Sequence, residues 1–169
     1  AHRIKWDELA TSPAFKNWLI ASRQSLLEPL PKISDDLYLD YSRTGNRDNW
    51  QNVAFARRLR MASLGFAECL EYKGAFLAPL EEAIKEICAE RTWIYPAHDR
   101  GQSNFHGLAT NIDLGSSWVA WELATIDSLL TDQLSAPTRK LIRDNLQRRI
   151  FQPYRDMVEG RRKEDNWLR

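Results

Sequence analysis

The sequence predicts an all-α protein built from antiparallel helical hairpins, and three features carry that prediction. Leucine (21) and alanine (17) dominate the apolar residues of this 169-residue chain while valine contributes three, a choice that suits helix interiors better than pleated strands. Glycine and proline number seven each, too few for a chain of many tight turns and short strands. Apolar residues also recur at three- and four-residue spacing through the long segments, the period of a helix face. A mass of 19.7 kDa corresponds to one domain with a real core, so residues 1–169 are expected to form a single all-helical domain.

Taken in order, the first helix is expected over residues 12–27, opened by Ser12 and Pro13 and carrying Phe15, Trp18, Leu19 and Leu26 on its stripe. The run Glu28, Pro29, Leu30, Pro31 ends it. Ser34, Asp35 and Asp36 then start a short helix with Leu37, Tyr38 and Tyr41, stopped near Thr44, Gly45 and Asn46. Residues 48–73 place Phe55, Leu59, Ala62, Phe66 and Cys69 or Leu70 at helical spacing, with Gly74 as the expected end. Residues 76–91 repeat the pattern with Leu77, Leu80, Ile84, Ile87 and Cys88. Residues 114–132 show two apolar faces, one on Trp118 and Trp121 and one on Val119, Leu123, Ile126 and Leu130, which predicts burial on both sides. Residues 136–151 follow Ser135 and carry Leu141, Ile142, Leu146 and Ile150 on one stripe. Short turns at Gly74 and at Leu134 and Ser135 make the joined helices antiparallel neighbours, without the signature of any named sequence repeat.

The net charge of +1 gives no overall drive toward nucleic acid or a membrane surface, although residues 139–169 hold a local +5 that suits an anionic partner or a solvated helix face. The longest run without Asp, Glu, Lys or Arg is residues 101–112, which is polar, so no membrane span is expected. No basic and apolar leader opens the chain, which begins at Ala1, so its ends do not indicate a compartment. Cys69 and Cys88 are too few for a disulfide framework or a paired zinc site and, on antiparallel helices, too far offset to join, so both are expected as small core residues.

Candidate chemistry gathers in residues 91–113. Connections between packed helices usually span about two to eight residues, so a longer irregular stretch holding Trp93, Tyr95, His98, Asp99, Asn104, His106, Asn111 and Asp113 reads as a working loop. The competing reading makes Trp93 and Tyr95 core plugs and His98 and Asp113 helix caps. Seven residues separate His98 from His106, which fixes no metal geometry, and neither a metal nor a cofactor is expected. Trp50, Trp93, Trp118 and Trp167 fall near expected helix ends, where an indole face can meet a sugar ring while Asn, Asp, His and Arg take its hydroxyls. Trp18 and Trp121 sit inside apolar stripes and read as core.

The hairpins, the turn from Tyr41 through Ser42, Arg43, Thr44, Gly45 and Asn46 to Arg47, the segment Trp93-Ile94-Tyr95-Pro96-Ala97-His98-Asp99, the helix start Asn111-Ile112-Asp113-Leu114-Gly115 and the pair Asn166-Trp167 occur in an order that resembles the heparinase II/III-like family. The resemblance implies an incomplete (α/α) toroid, the N-terminal half of a larger one. It also implies part of a polysaccharide lyase-like protein that acts on acidic, uronate-containing glycans by β-elimination and is periplasmic or secreted. Under it, Trp93, His98, His106, Trp118, Asn166, Trp167 and Arg169 are expected to bind substrate, with Arg169 offering a bidentate fork to carboxylates and sulfates. No tyrosine stands in a motif that transfers the catalytic role, so catalytic residues are unassigned and the chain's status as an enzyme is left open. The alternatives are a non-catalytic carbohydrate-binding or assembly module on the same scaffold, and a glycoside hydrolase using Asp99 and Asp113. Half a toroid also leaves an apolar flank uncovered, which favours self-association or docking of a missing C-terminal half. Far-ultraviolet circular dichroism is expected to show a strongly helical spectrum, and a β-rich one would overturn the fold assignment.

Overall fold

A computed structural model describes residues 3–163, which fold as helices with no strand among them. In chain order these are α1 (Arg3–Thr11), α2 (Pro13–Ser25), α3 (Asp35–Thr44), α4 (Asp48–Glu71), α5 (Leu77–Ala89), α6 (Leu114–Leu129), α7 (Ala136–Leu146) and α8 (Gln152–Val158). The longest, α4, lies at the centre and packs against α1, α2, α3, α5 and α6, while α7 closes the far side against α5 and α6. No helix among the described residues is long and apolar enough to cross a membrane. Cys69 and Cys88 are free and buried, as expected of core residues, and burial pushes their thiols up to about 11 and about 12.

Ser34 and Ser135 cap helices where the sequence placed them, whereas Ser12 stands at the start of α2 without a side-chain cap hydrogen bond. Ser34 Oγ accepts from the Leu37 N–H at 3.2 Å, and Gly45 ends α3 in the left-handed conformation at φ +73°. Ser135 Oγ accepts from the Thr138 N–H at the start of α7. One stop moves: α4 ends at Tyr72, itself left-handed at φ 54°, ahead of Gly74. The buried Glu68 carboxylate accounts for the turn that follows, accepting from the Gly74 N–H at 2.7 Å and the Phe76 N–H at 3.0 Å. It thereby neutralises backbone donors at the start of α5, where negative charge is favourable.

Three departures from the periodicity have physical causes. Helix α1 was not expected, because Ile4, Trp6 and Leu9 make no continuous stripe. Its stability is tertiary: Arg3 donates to the terminal carbonyls of α4 at Cys69 (2.6 Å) and Leu70 (2.5 Å), and Trp6 packs edge-on against Phe66. On α6 only one of the two apolar faces is buried. Trp121 is 69 % exposed, with Leu114 and Leu129 also in solvent, so the expectation of burial on both sides is corrected and Trp121 is not a core residue. The last helix continues past residue 151 through a π-helical turn, Gln147–Phe151, into α8. The wider turn falls just before Pro153, which lacks an N–H and in a regular helix would crowd the carbonyl of Arg149.

The principal core joins Met61, Leu64, Leu80, Ile84, Ile87, Trp93, Leu123 and Ile142 from α4 to α7. A smaller aromatic cluster, Tyr38, Trp50, Ala54 and Phe105, sits between α3, the first turns of α4 and the long connection after α5. That connection reaches α6 across Gly115, where a Cβ would stand 2.8 Å from the Trp93 carbonyl oxygen and 2.5 Å from the Tyr95 ring. Gly115→Ala is therefore expected to destabilise the protein by about 1–3 kcal/mol in urea unfolding, through overpacking against backbone that cannot yield.

Candidate functional site

The connection between α5 and α6 covers one end of the helices, and its backbone is organised by side chains. Arg149, at the π-helical turn, donates to the carbonyls of Cys88, Glu90 and Arg91 where α5 ends, and its guanidinium lies 4.8 Å from the Trp93 ring centre. Burial lowers the Arg149 pKa to about 10, which leaves it charged at neutral pH. Two short 3-10 turns follow, Pro96–His98 and Arg100–Gln102. Asp99, buried beside them, accepts from the Asn104 N–H and Phe105 N–H at 2.9 Å each, from the Asn104 amide, and from the Tyr38 hydroxyl at 3.1 Å. Burial first, and the Asp99 charge second, push the Tyr38 hydroxyl well above its ordinary range, so it remains a donor.

Asp113 performs the matching task at the start of α6. Its carboxylate caps the helix by accepting from the Ser116 N–H at 2.7 Å, and it also accepts from the Tyr95 N–H at 3.0 Å and His98 Nδ1 at 2.8 Å. Ser116 Oγ returns the contact to the Asp113 N–H, closing a capping box.

Beneath the connection lies Arg58 of α4, 0 % exposed, with its guanidinium carbon 5.2 Å from the Trp50 ring centre and 5.9 Å from those of Tyr95 and Trp118. None of its three nitrogens has a hydrogen-bond partner among the described residues. Burial lowers its pKa, and the neighbouring acids Glu90, Asp113 and Glu122 act against that shift. Those acids respond in turn. Burial raises the Glu90 carboxyl, with Arg58 and Arg57 pulling it back, and burial raises Glu122 to about 7 against the Trp118 hydrogen bond and the Arg58 charge.

Beside this cluster opens a groove of about 670 Å³ between α3, α4, the end of α5 and the connection. Tyr38, Trp50 and Phe105 contribute aromatic surface; Lys32, Arg57 and Arg91 contribute cations, and Asp35, Glu86 and Glu90 carboxylates. Arg57 Nε holds Glu90 at 3.0 Å, and Arg91 holds Asp35 at 2.7 Å across the gap between α3 and the connection.

The residues expected to bind substrate are not gathered on this groove. Trp93 is 1 % exposed and donates its indole N–H to the Ile87 carbonyl at 2.9 Å, so it plugs the core and presents no face to a ligand. Trp50, also expected to offer an indole face, is 2 % exposed. His98 is largely covered and oriented by Asp113. His106 is exposed, its ring edge-on to Phe105 at 5.2 Å. Trp118 is half-buried against Phe55 and donates to Glu122 Oε1 at 2.6 Å. Asn166, Trp167 and Arg169 lie outside the described residues. The groove residues that the sequence reading passed over, notably Lys32, Arg57 and Glu90, come from three separate stretches. One signal was available: Arg57 and Arg58 fall between Ala54 and Met61, on the buried side of α4, where an unexplained charge marks a site. No protein-family model matches the chain, and no curated protein does.

The Glu122 shift gives a signed prediction. A carboxyl whose pKa is higher in the folded state than its ordinary 4.5 binds more protons folded than unfolded between pH 4.5 and about 7, so its contribution to stability is present at the acid end and lost as pH rises. Glu122→Gln is expected to remove that component of the slope in denaturant unfolding across this range. An unchanged slope would place the Glu122 pKa near its ordinary value.

Proposed function

We propose that the chain is part of a polysaccharide lyase-like protein acting on acidic, uronate-containing glycans by β-elimination, and that it contributes one wall of the sugar cleft. The groove carries this reading: its size falls within the roughly 300–1,000 Å³ of ordinary ligand sites, and it combines an aromatic backing with polar side chains able to take hydroxyls. The antiparallel hairpins suit an incomplete (α/α) toroid, the scaffold that the resemblance to heparinase II/III-like proteins implies, and a periplasmic or secreted setting goes with that reading.

β-Elimination requires neutralisation of the C6 carboxylate, a base for the C5 proton and an acid for the departing C4 oxygen, all converging on one ring. Of the groove residues, Tyr38 and Glu90 are engaged by Asp99 and Arg57, which leaves this wall a binding role. A non-catalytic carbohydrate-binding module is the second reading, supported by the same engagement. The hydrolase alternative loses its two candidates, since Asp99 and Asp113 spend their carboxylates on backbone N–H groups.

Titration of acidic oligosaccharides from heparan, chondroitin or alginate is expected to shift amide resonances of Arg91, Thr92 and Phe105 with weak affinity, on the order of millimolar, that falls with added salt. No absorbance from a new C4=C5 double bond is expected from this chain alone. Silence throughout residues 91–113 with the fold intact would overturn the glycan reading. Turnover abolished by a tyrosine substitution would overturn the one-wall account.

A further inference from the structure

Two of the side chains lining the groove carry buried polar atoms without a hydrogen-bond partner among the described residues: Trp50, at its indole Nε1, and Glu90, at Oε2. One is a donor and the other an acceptor, and each costs free energy while unpaired. Their chemistry restricts what satisfies both. A carboxylate or sulfate accepts from an indole N–H but has nothing to donate to Glu90; an ammonium donates to Glu90 but cannot accept from Trp50. A hydroxyl does either.

The charges around the groove point the same way. Lys32, Arg57 and Arg91 are matched by Asp35, Glu86 and Glu90, and two of these pairs are already closed, Arg57 with Glu90 and Arg91 with Asp35. An incoming anion would meet no unbalanced positive field and would approach the unpaired oxygen of Glu90. Tyr38 and Phe105, both more than nine-tenths buried, stack on each other at 5.2 Å with their planes 18° apart and form the apolar backing of the groove.

We infer that this groove is a subsite for a neutral, hydroxyl-bearing ring, a sugar residue without a carboxylate, whose hydroxyls meet Trp50 Nε1 and Glu90 Oε2. The inference rests on the glycan reading above and assigns to this groove the neutral residue of the glycan, leaving the uronate to another part of the cleft.

Methyl glucoside and methyl glucuronide differ only at C6, CH₂OH against carboxylate, and form a matched pair of probes for the whole chain. Followed at the Trp50 indole N–H resonance at neutral pH, methyl glucoside is expected to produce a saturable shift, and methyl glucuronide to bind about tenfold or more weakly because it faces a like charge. In Glu90→Gln, which keeps an acceptor and removes the charge, the two affinities should converge. The wild-type comparison does not depend on that variant folding. Equal or tighter binding of the glucuronide by the wild type would overturn the inference, as would a Trp50 signal that neither probe moves. If Trp50 stays silent while acidic oligosaccharides still shift residues 91–113, this subsite falls and the glycan reading stands; if those oligosaccharides are silent as well, both fall.

Discussion

Two buried carboxylates, Asp99 and Asp113, hold the long connection between α5 and α6 in place, and the candidate site depends on them. A segment of this length cannot lie against a core with its backbone N–H groups unpaired, because each buried orphan costs about as much as a lost hydrogen bond. Asp99 takes two backbone N–H groups from the middle of the connection and Asp113 takes one from its start and one from the first turn of α6. Between them they also fix Tyr38 and His98. The aromatic floor of the groove is therefore tied to α3 through one aspartate, and the approach to α6 is tied to the core through the other.

The second organising feature is the charge inside α4. Arg57 and Arg58 are adjacent in sequence and both buried, yet they meet different surroundings. Arg57 is paired with Glu90 and donates to the Pro31 carbonyl, whereas Arg58 is surrounded by aromatic rings with no hydrogen-bond partner among the described residues. A buried ion pair seldom adds much stability, since the desolvation of both charges offsets their attraction. What Arg57 and Glu90 supply is position: they join α4 to the end of α5 where the connection begins, and they form one side of the groove. Glu68 works in the same way one helix-length away, joining α4 to the turn before α5.

Much of the helical arrangement was legible from local chemistry. Ser34, Gly45, Ser135 and Asp113 end or begin helices through their own side chains or their own φ angle, which neighbouring residues suffice to specify. The stripes of α5 and α7 were legible for the same reason, because a face buried on one side repeats with the helix period, whereas on α4 the expected stripe missed the buried face: Leu59 is 56 % exposed and Phe55, Ala62 and Phe66 are half-buried, while Ala54, Met61 and Leu64 face the core. Helix α1 was not legible, since it is held by Arg3 and Trp6 acting on residues sixty or more positions away. Trp18 and Trp121, 42 % and 69 % exposed, were misread as core because a stripe shows which residues share a face and not whether anything covers that face.

The site divides along the same line. The sequence by itself determined that residues 91–113 form an irregular, polar, aromatic-rich connection, because nothing in that stretch supports a helix period and its aspartates and asparagines bond locally to backbone. Only the tertiary structure decided which of its aromatics are buried. Trp93 turns inward because its N–H finds the Ile87 carbonyl in the last turn of α5 and Arg149 covers its ring, while Arg91 and Phe105 reach the groove because α3 and α4 stand opposite them. Burial and charge pairing are relations between distant segments, and a groove assembled from Lys32, Trp50, Glu90 and Phe105 exists only once those segments have packed.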